Sequence, residues 1–145
     1  MRVGIVGVGG MGNTHANKYR QMPDVVLAAF DVDPERLSAF CSKTGAELRD
    51  SLGHLIDTSD IVDICLPTHL HLATAGHAIH AGKAVFVEKP MAGNVADCRQ
   101  MIQAAEREGV PLMPGQVVRF FPEFAAGRRL VHSGSIGTPA WSFMK

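Results

Sequence analysis

Val3-Gly4-Ile5-Val6-Gly7-Val8-Gly9-Gly10-Met11-Gly12 decides the fold. The apolar run before Gly7 reads as a buried strand. The glycines that follow fit G-x-G-x-x-G, a tight turn opening a helix. In that pattern Gly7 makes the turn, Gly9 admits a pyrophosphate close to the backbone, and Gly12 lets the helix approach the strand. Phosphate oxygens then meet Gly9, Gly10 and Met11, where the helix start offers unpaired N–H groups and partial positive charge. Asp31 stands nineteen positions after Gly12, close to the roughly 20 at which such a motif places an acidic ribose ligand.

The surrounding sequence alternates strands and helices. Strands are expected at Met1–Val6, Val25–Phe30, Ala46–Leu48, Ile61–Leu66, Ala84–Val87 and Val110–Met113. Helices are expected from Gly10 to about Gln21, over 34–44, from Ser51 through Ile56, from His69 to His80, and from Val95 to Glu108. Asp33-Pro34 and Asn94 are start signals, and Gly45, Gly82 and Gly109 are stops. This order implies an α/β fold with an open parallel sheet of the Rossmann dinucleotide-binding type. Val95, Cys98, Ile102 and Ala105 are expected to form the buried stripe of the last of these helices. After Gly115 the pattern changes: a helix is expected from Pro122 to about Val131, a turn over Ser133–Gly137, and an incipient strand over Pro139–Lys145.

Composition narrows the class. The chain has 145 residues, 46% of them hydrophobic, with a formal net charge of zero. A balanced charge argues against non-specific binding to nucleic acid or to an anionic membrane. No apolar stretch approaches the roughly 18 residues of a membrane span. Cys41, Cys65 and Cys98 are odd in number and far apart, and read as buried thiols of a reducing, cytoplasmic compartment.

Chemistry-bearing residues gather at expected strand ends. Asp31 can accept both hydroxyls of an adenosine ribose and repel a 2′-phosphate, which favours NAD over NADP; the alternative is a turn aspartate capping the next helix. Glu88-Lys89-Pro90 closes the strand Ala84–Val87 and faces the ligand crevice. Lys89 there is either a proton donor or acceptor, or a solvated loop charge. His71 is either a contact to the nicotinamide side or a half-exposed helix-start residue, and His15 reads as packing or capping. His69, His71, His77 and His80 lack a carboxylate or cysteine at zinc spacing, so no metal site is expected.

Several stretches together resemble the Gfo/Idh/MocA oxidoreductases, the glucose–fructose oxidoreductase and inositol dehydrogenase family. They are Gly7–His15, Pro67-Thr68-His69-Leu70-His71 with Ala78–Lys83, Glu88-Lys89-Pro90, Arg119–Pro122 and Gly134–Gly137. The resemblance implies NAD(P)-dependent oxidation or reduction of a sugar, polyol or related compound. It implies Lys89 as the active-site lysine, and Pro67, Thr68, His71 and Glu88 beside the cofactor. It also implies a dinucleotide-binding domain over 1–120, the beginning of a truncated substrate domain over 121–145, and a homo-oligomer for a full-length protein. Two functions stand at this point: an NAD-dependent dehydrogenase, and a non-catalytic dinucleotide-binding module.

Overall fold

The computed structural model describes residues 1–140. Its central strand is β1 (Arg2–Val6). Around it run α1 (Gly10–Tyr19), β2 (Val26–Phe30), α2 (Pro34–Thr44), β3 (Glu47–Leu48) and α3 (Leu52–Asp57). Then come β4 (Ile61–Ile64), α4 (His71–His80), β5 (Ala84–Val87), α5 (Val95–Glu108), β6 (Leu112–Pro114) and α6 (Pro122–His132). Strand order is β3-β2-β1-β4-β5-β6, and every pairing is parallel. The expected open parallel sheet is therefore present, with the order of the doubly wound dinucleotide fold.

The pleat of β1 divides the core. Val3 and Ile5 join Ala16, Leu27, Leu37 and Phe40 on the face covered by α1 and α2. Val6 points the other way, into Leu55, Ile64, Ala75, Ile79 and Met101 under α3, α4 and α5. Successive side chains of a strand face opposite sides, so one short strand feeds both layers. Gly4 sits on the second face, where a methyl would fall 2.6 Å from Leu55 Cδ2.

The start and stop signals act as read. Asp33 accepts from the Glu35 and Arg36 amides, Asn94 from Asp97, and Ser51 from His54. Other boundaries differ from expectation for local reasons. β4 stops at Ile64 because the chain turns toward Pro67, although the Cys65 amide still donates to Val6 O at 2.8 Å. The helix expected from His69 begins as a 3₁₀ turn, Thr68–Leu70, and becomes α-helical at His71. The last strand is displaced to Leu112–Pro114.

The expected stripe on α5 holds at Ala105 and is corrected at Val95 and Ile102. Val95 and Ile102 are exposed, and the buried residues are Met101, Ala104 and Ala105. α5 packs against α4, and small alanines with one long methionine suit that close seam. Val95 lies in the first turn, and its apolar character carries no burial. The three cysteines are free and half-buried, not fully buried.

The chain divides into two compact units, Met1–Gly115 and one beginning at Gln116. The second carries a 3₁₀ turn at Val117–Phe120, then α6 with Pro122 in its first turn. Gly134 and Gly137 have positive φ in the turn that follows. Of the strand expected over Pro139–Lys145, residues 139 and 140 are not in a strand, and the rest lies outside the described residues.

Candidate functional site

The glycine turn is shaped by contacts no side chain could tolerate. Gly7 has φ +92°, and its amide donates to Phe30 O at 3.0 Å. A methyl on Gly12 would stand 2.2 Å from Gly7 O, so the first turn of α1 lies directly against the strand end. Gly9 and Gly10 are different: a methyl on either meets nothing within 4 Å. Their open side faces a cavity.

That cavity has a volume of about 650 Å³ and lies between the ends of β1, β2 and β4, within the range of small-molecule sites. It gathers Gly7, Gly9, Gly10, Met11, Asp31 and Pro67 from the residues singled out by sequence. α1 begins at its edge with Gly9 as N-cap and no side-chain cap. The Asn13 side chain instead donates back to the Val8 and Gly9 carbonyls, both at 2.9 Å. The first amides of a helix have no partner within it, and no side chain caps them here.

Asp31 lines the same cavity. One carboxylate oxygen accepts from the Val8 amide at 2.9 Å and the other from the Asp33 amide at 3.0 Å. Each carboxylate offers about four lone-pair sites, so both oxygens keep capacity for ribose hydroxyls. The capping alternative for Asp31 falls away, because Asp33 caps α2.

Gly12, Thr68, His71, Glu88 and Lys89 do not line the cavity. Gly12 acts from behind, as the contact that seats α1. Thr68 sits in the 3₁₀ turn that follows Pro67. The half-exposed reading of His71 is corrected: its ring is 1% exposed. Nε2 lies 2.8 Å from Leu66 O, and Nδ1 lies 3.1 Å from Pro90 O and 3.3 Å from Met91 O. The ring ties the loop after β4 to the Lys89-Pro90 turn. Glu88 is 5% exposed, and one of its oxygens accepts from the Lys89 amide at 2.8 Å. Lys89 itself is exposed, at the strand end where the tripeptide was expected.

The structure adds residues that the sequence did not single out. Phe30, Leu52, Leu66 and Leu70 make apolar wall, and Arg36 enters from the first turn of α2. Leu66 directly precedes Pro67 and Leu70 follows it by three positions, so the strand-end rule alone could have marked this stretch. Behind the wall lies a polar cluster. His15 Nδ1 is 2.9 Å from Asp63 Oδ2, Nε2 is 3.2 Å from Glu88 Oε1, and Cys65 Sγ is 3.3 Å from Nδ1. The hydrogen bond to Asp63 raises the His15 pKa most, against the opposing effect of burial. Burial, then the Asp63 charge, pushes the Cys65 thiol up, so it keeps its proton. His15, Asp63 and Cys65 are the group of metal-capable types found among the described residues. Hydrogen bonds join them, His15 Nδ1 with Asp63 Oδ2 and Cys65 Sγ with Asp63 Oδ1. Sequence reading missed the cluster because only the fold brings α1, β4 and the end of β5 together.

Comparison with known proteins agrees with this geometry. Residues 1–116 match the model of the Gfo/Idh/MocA oxidoreductases, described as an oxidoreductase family with an NAD-binding Rossmann fold. The chain belongs to this family. Among curated Gfo/Idh/MocA-type relatives, D-apiose dehydrogenase of Paraburkholderia graminis is 36% identical over 141 residues, covering 94% of this chain and 38% of that protein. Myo-inositol 2-dehydrogenase of Thermotoga maritima is 34% identical, with 96% and 43% covered. The crystal structure of the WlbA dehydrogenase from Bordetella pertussis, in complex with NADH and UDP-GlcNAcA, superposes with a TM-score of 0.89 at 29% identity, covering 94% of this chain and 41% of that one. This Gfo/Idh/MocA chain thus spans about 40% of the length of these relatives. No helix among its described residues is long and apolar enough to cross a membrane.

Proposed function

We propose that the cavity at the ends of β1, β2 and β4 binds NAD(H), and that the chain serves a dehydrogenase acting on a sugar, polyol or related small molecule. The observation that carries this reading is the open face at Gly9 and Gly10. Two glycines whose added methyls would meet no protein atom leave space of the kind a pyrophosphate needs beside uncapped helix amides. Gly9, Gly10 and Met11 hold the diphosphate and Asp31 holds the adenosine ribose. Asp31 opposes a 2′-phosphate by charge and so favours NAD over NADP. Bound nicotinamide supplies or accepts a hydride.

The remaining work falls to side chains of this chain. Pro67 and the apolar residues beside it exclude water from the nicotinamide end. Lys89, projecting from the end of β5, positions the substrate hydroxyl and takes or returns its proton. Thr68 lies beside the cofactor, and Glu88 and His71 fix the turn that carries Lys89. Free cysteines support a reducing, cytoplasmic setting. A full-length homo-oligomer is part of the same reading.

One observation favours a second reading. Lys89 is exposed, and a proton-transfer group works best where water is excluded. A dinucleotide-binding module without turnover of its own fits that exposure. Titration with NADH, followed by hydride-transfer assays on inositol, glucose and a polyol panel, tests both. NADH binding with turnover supports the dehydrogenase, and binding without turnover supports the module. No affinity for either coenzyme overturns both.

A further inference from the structure

The polar cluster behind the cavity has an unusual proton count. The His15 ring is flanked by two carboxylates, Asp63 Oδ2 on Nδ1 and Glu88 Oε1 on Nε2, at 2.9 and 3.2 Å. Exposure of the three side chains is 14%, 0% and 6% respectively. A neutral imidazole carries one N–H, taken up by the hydrogen bond to Asp63 Oδ2; the 3.2 Å contact of Nε2 with Glu88 Oε1 is an ion pair, which only the imidazolium can make. The chain of bonds does not end at Glu88. Its other oxygen, Oε2, accepts the Lys89 amide at 2.8 Å. A path of hydrogen bond, ion pair and hydrogen bond therefore runs from Asp63 through the His15 ring and the Glu88 carboxylate to the backbone from which Lys89 projects.

We propose that His15 is a positioning residue for Lys89: as the imidazolium it locks the Glu88 carboxylate between its own Nε2 and the Lys89 amide, and loss of its proton releases that lock. The proposal rests on the role of Lys89 given above. A deprotonated ring keeps a donor for one carboxylate only. Asp63 is more deeply buried and bonds to His15 at the shorter distance. The donor therefore stays on Nδ1, and Glu88 faces a bare lone pair.

The groups packed around the ring leave this assignment unopposed. From β4 and its end come Asp63 and the Cys65 thiol, whose Sγ lies 3.3 Å from Nδ1. From β5 and its end come Glu88 and the Phe86 ring, 5.5 Å from the imidazole between centroids. Asp63 also acts on Tyr19, which lies on the same helix as His15. Burial foremost, and then Asp63, raises its phenol and keeps it neutral. Cys65 is neutral for the same reasons. Within this group the thiol and phenol are uncharged, and the His15 ring is the group that can supply a positive charge.

Nuclear magnetic resonance on the ¹⁵N-labelled chain reads the lock directly. The His15 ring nitrogens and the Lys89 amide are followed from about pH 5.5 to about pH 9.5, the range in which a shifted histidine titrates. The expected result is one shared midpoint for ring and amide, above the ordinary histidine value of 6.5. In His15→Gln the Lys89 amide no longer titrates in that range. A Lys89 amide that stays still while the ring titrates overturns the proposal. So does an amide titration that survives in His15→Gln. A purely structural role would lower the melting temperature of the variant without tying the amide to the ring. Should His15→Gln fail to fold, the unaltered chain still decides between shared and independent midpoints. The amide measurement needs no coenzyme. A parallel NADH titration therefore fails separately: no binding removes the functional reading of the cavity and leaves the coupling of ring and amide standing.

Discussion

Gly9→Ala should separate coenzyme binding from stability. Gly9 has φ −70° and ψ −158°, an extended conformation open to alanine. The added methyl meets no atom within 4 Å, so the folded chain accepts it without strain. Restricting the unfolded chain then adds roughly 0.4–1 kcal/mol of stability. For a domain of this size that is a rise in Tm of about 1–4 °C. Binding should move the other way. The methyl fills the space through which a pyrophosphate reaches the helix amides. Losing even one charge-assisted hydrogen bond of about 1.5–3 kcal/mol weakens NADH binding at least roughly tenfold. Thermal unfolding and NADH fluorescence titration on one preparation give both numbers. Unchanged NADH affinity in a folded Gly9→Ala chain would refute the seating of the diphosphate at Gly9. The counterpart is Gly12→Ala, whose methyl would lie 2.2 Å from Gly7 O. It should cost about 1–3 kcal/mol through overpacking, and an unchanged Tm would show that α1 can back away freely.

Asp31→Ala should narrow the preference for NADH over NADPH in paired calorimetric titrations. It should also cost roughly 1–3 kcal/mol of stability, because the Val8 and Asp33 amides lose their acceptor. Equal affinity of the unaltered chain for the two coenzymes would end the discriminator role. His71→Leu, at a position 1% exposed, should lower the urea midpoint by an equivalent of roughly 1–3 kcal/mol, since a buried backbone carbonyl beside the ring loses its N–H donor. Stability should also respond to pH through His15. Its folded pKa is raised above the ordinary 6.5, so its contribution is complete below that value and is lost as pH rises through the folded pKa. Urea midpoints measured across neutral and mildly alkaline pH should fall in the unaltered chain, and this slope should be absent in His15→Gln.

The parts legible in the sequence were those governed by short-range rules. Strand, glycine turn and helix start follow one another in ten residues, and Gly7 and Gly12 behave as the motif requires. Asp33, Asn94 and Gly109 announce helix ends because capping is a matter of three or four neighbouring residues. What needed the fold was long-range. The buried seam of α5 depends on which side α4 lies, and the apolar side chains of Val95 and Ile102 pointed to the wrong one. His71 is a staple between two loops, one at Leu66 and one at Pro90 and Met91. The His15 cluster joins residues forty-eight positions apart, and no local pattern relates them.

The placement of β1 carries a cost during synthesis. Val3 and Ile5 are fully buried in the finished sheet, yet β1 pairs with both β2 and β4. The ribosome releases β1 well before β4. Until Ile61–Ile64 emerges, one edge of the innermost strand stays open, with apolar neighbours and unsatisfied amides on display. A nascent chain stalled between β3 and β4 should therefore be a strong client for ribosome-associated holdases, and one stalled beyond β5 a much weaker one.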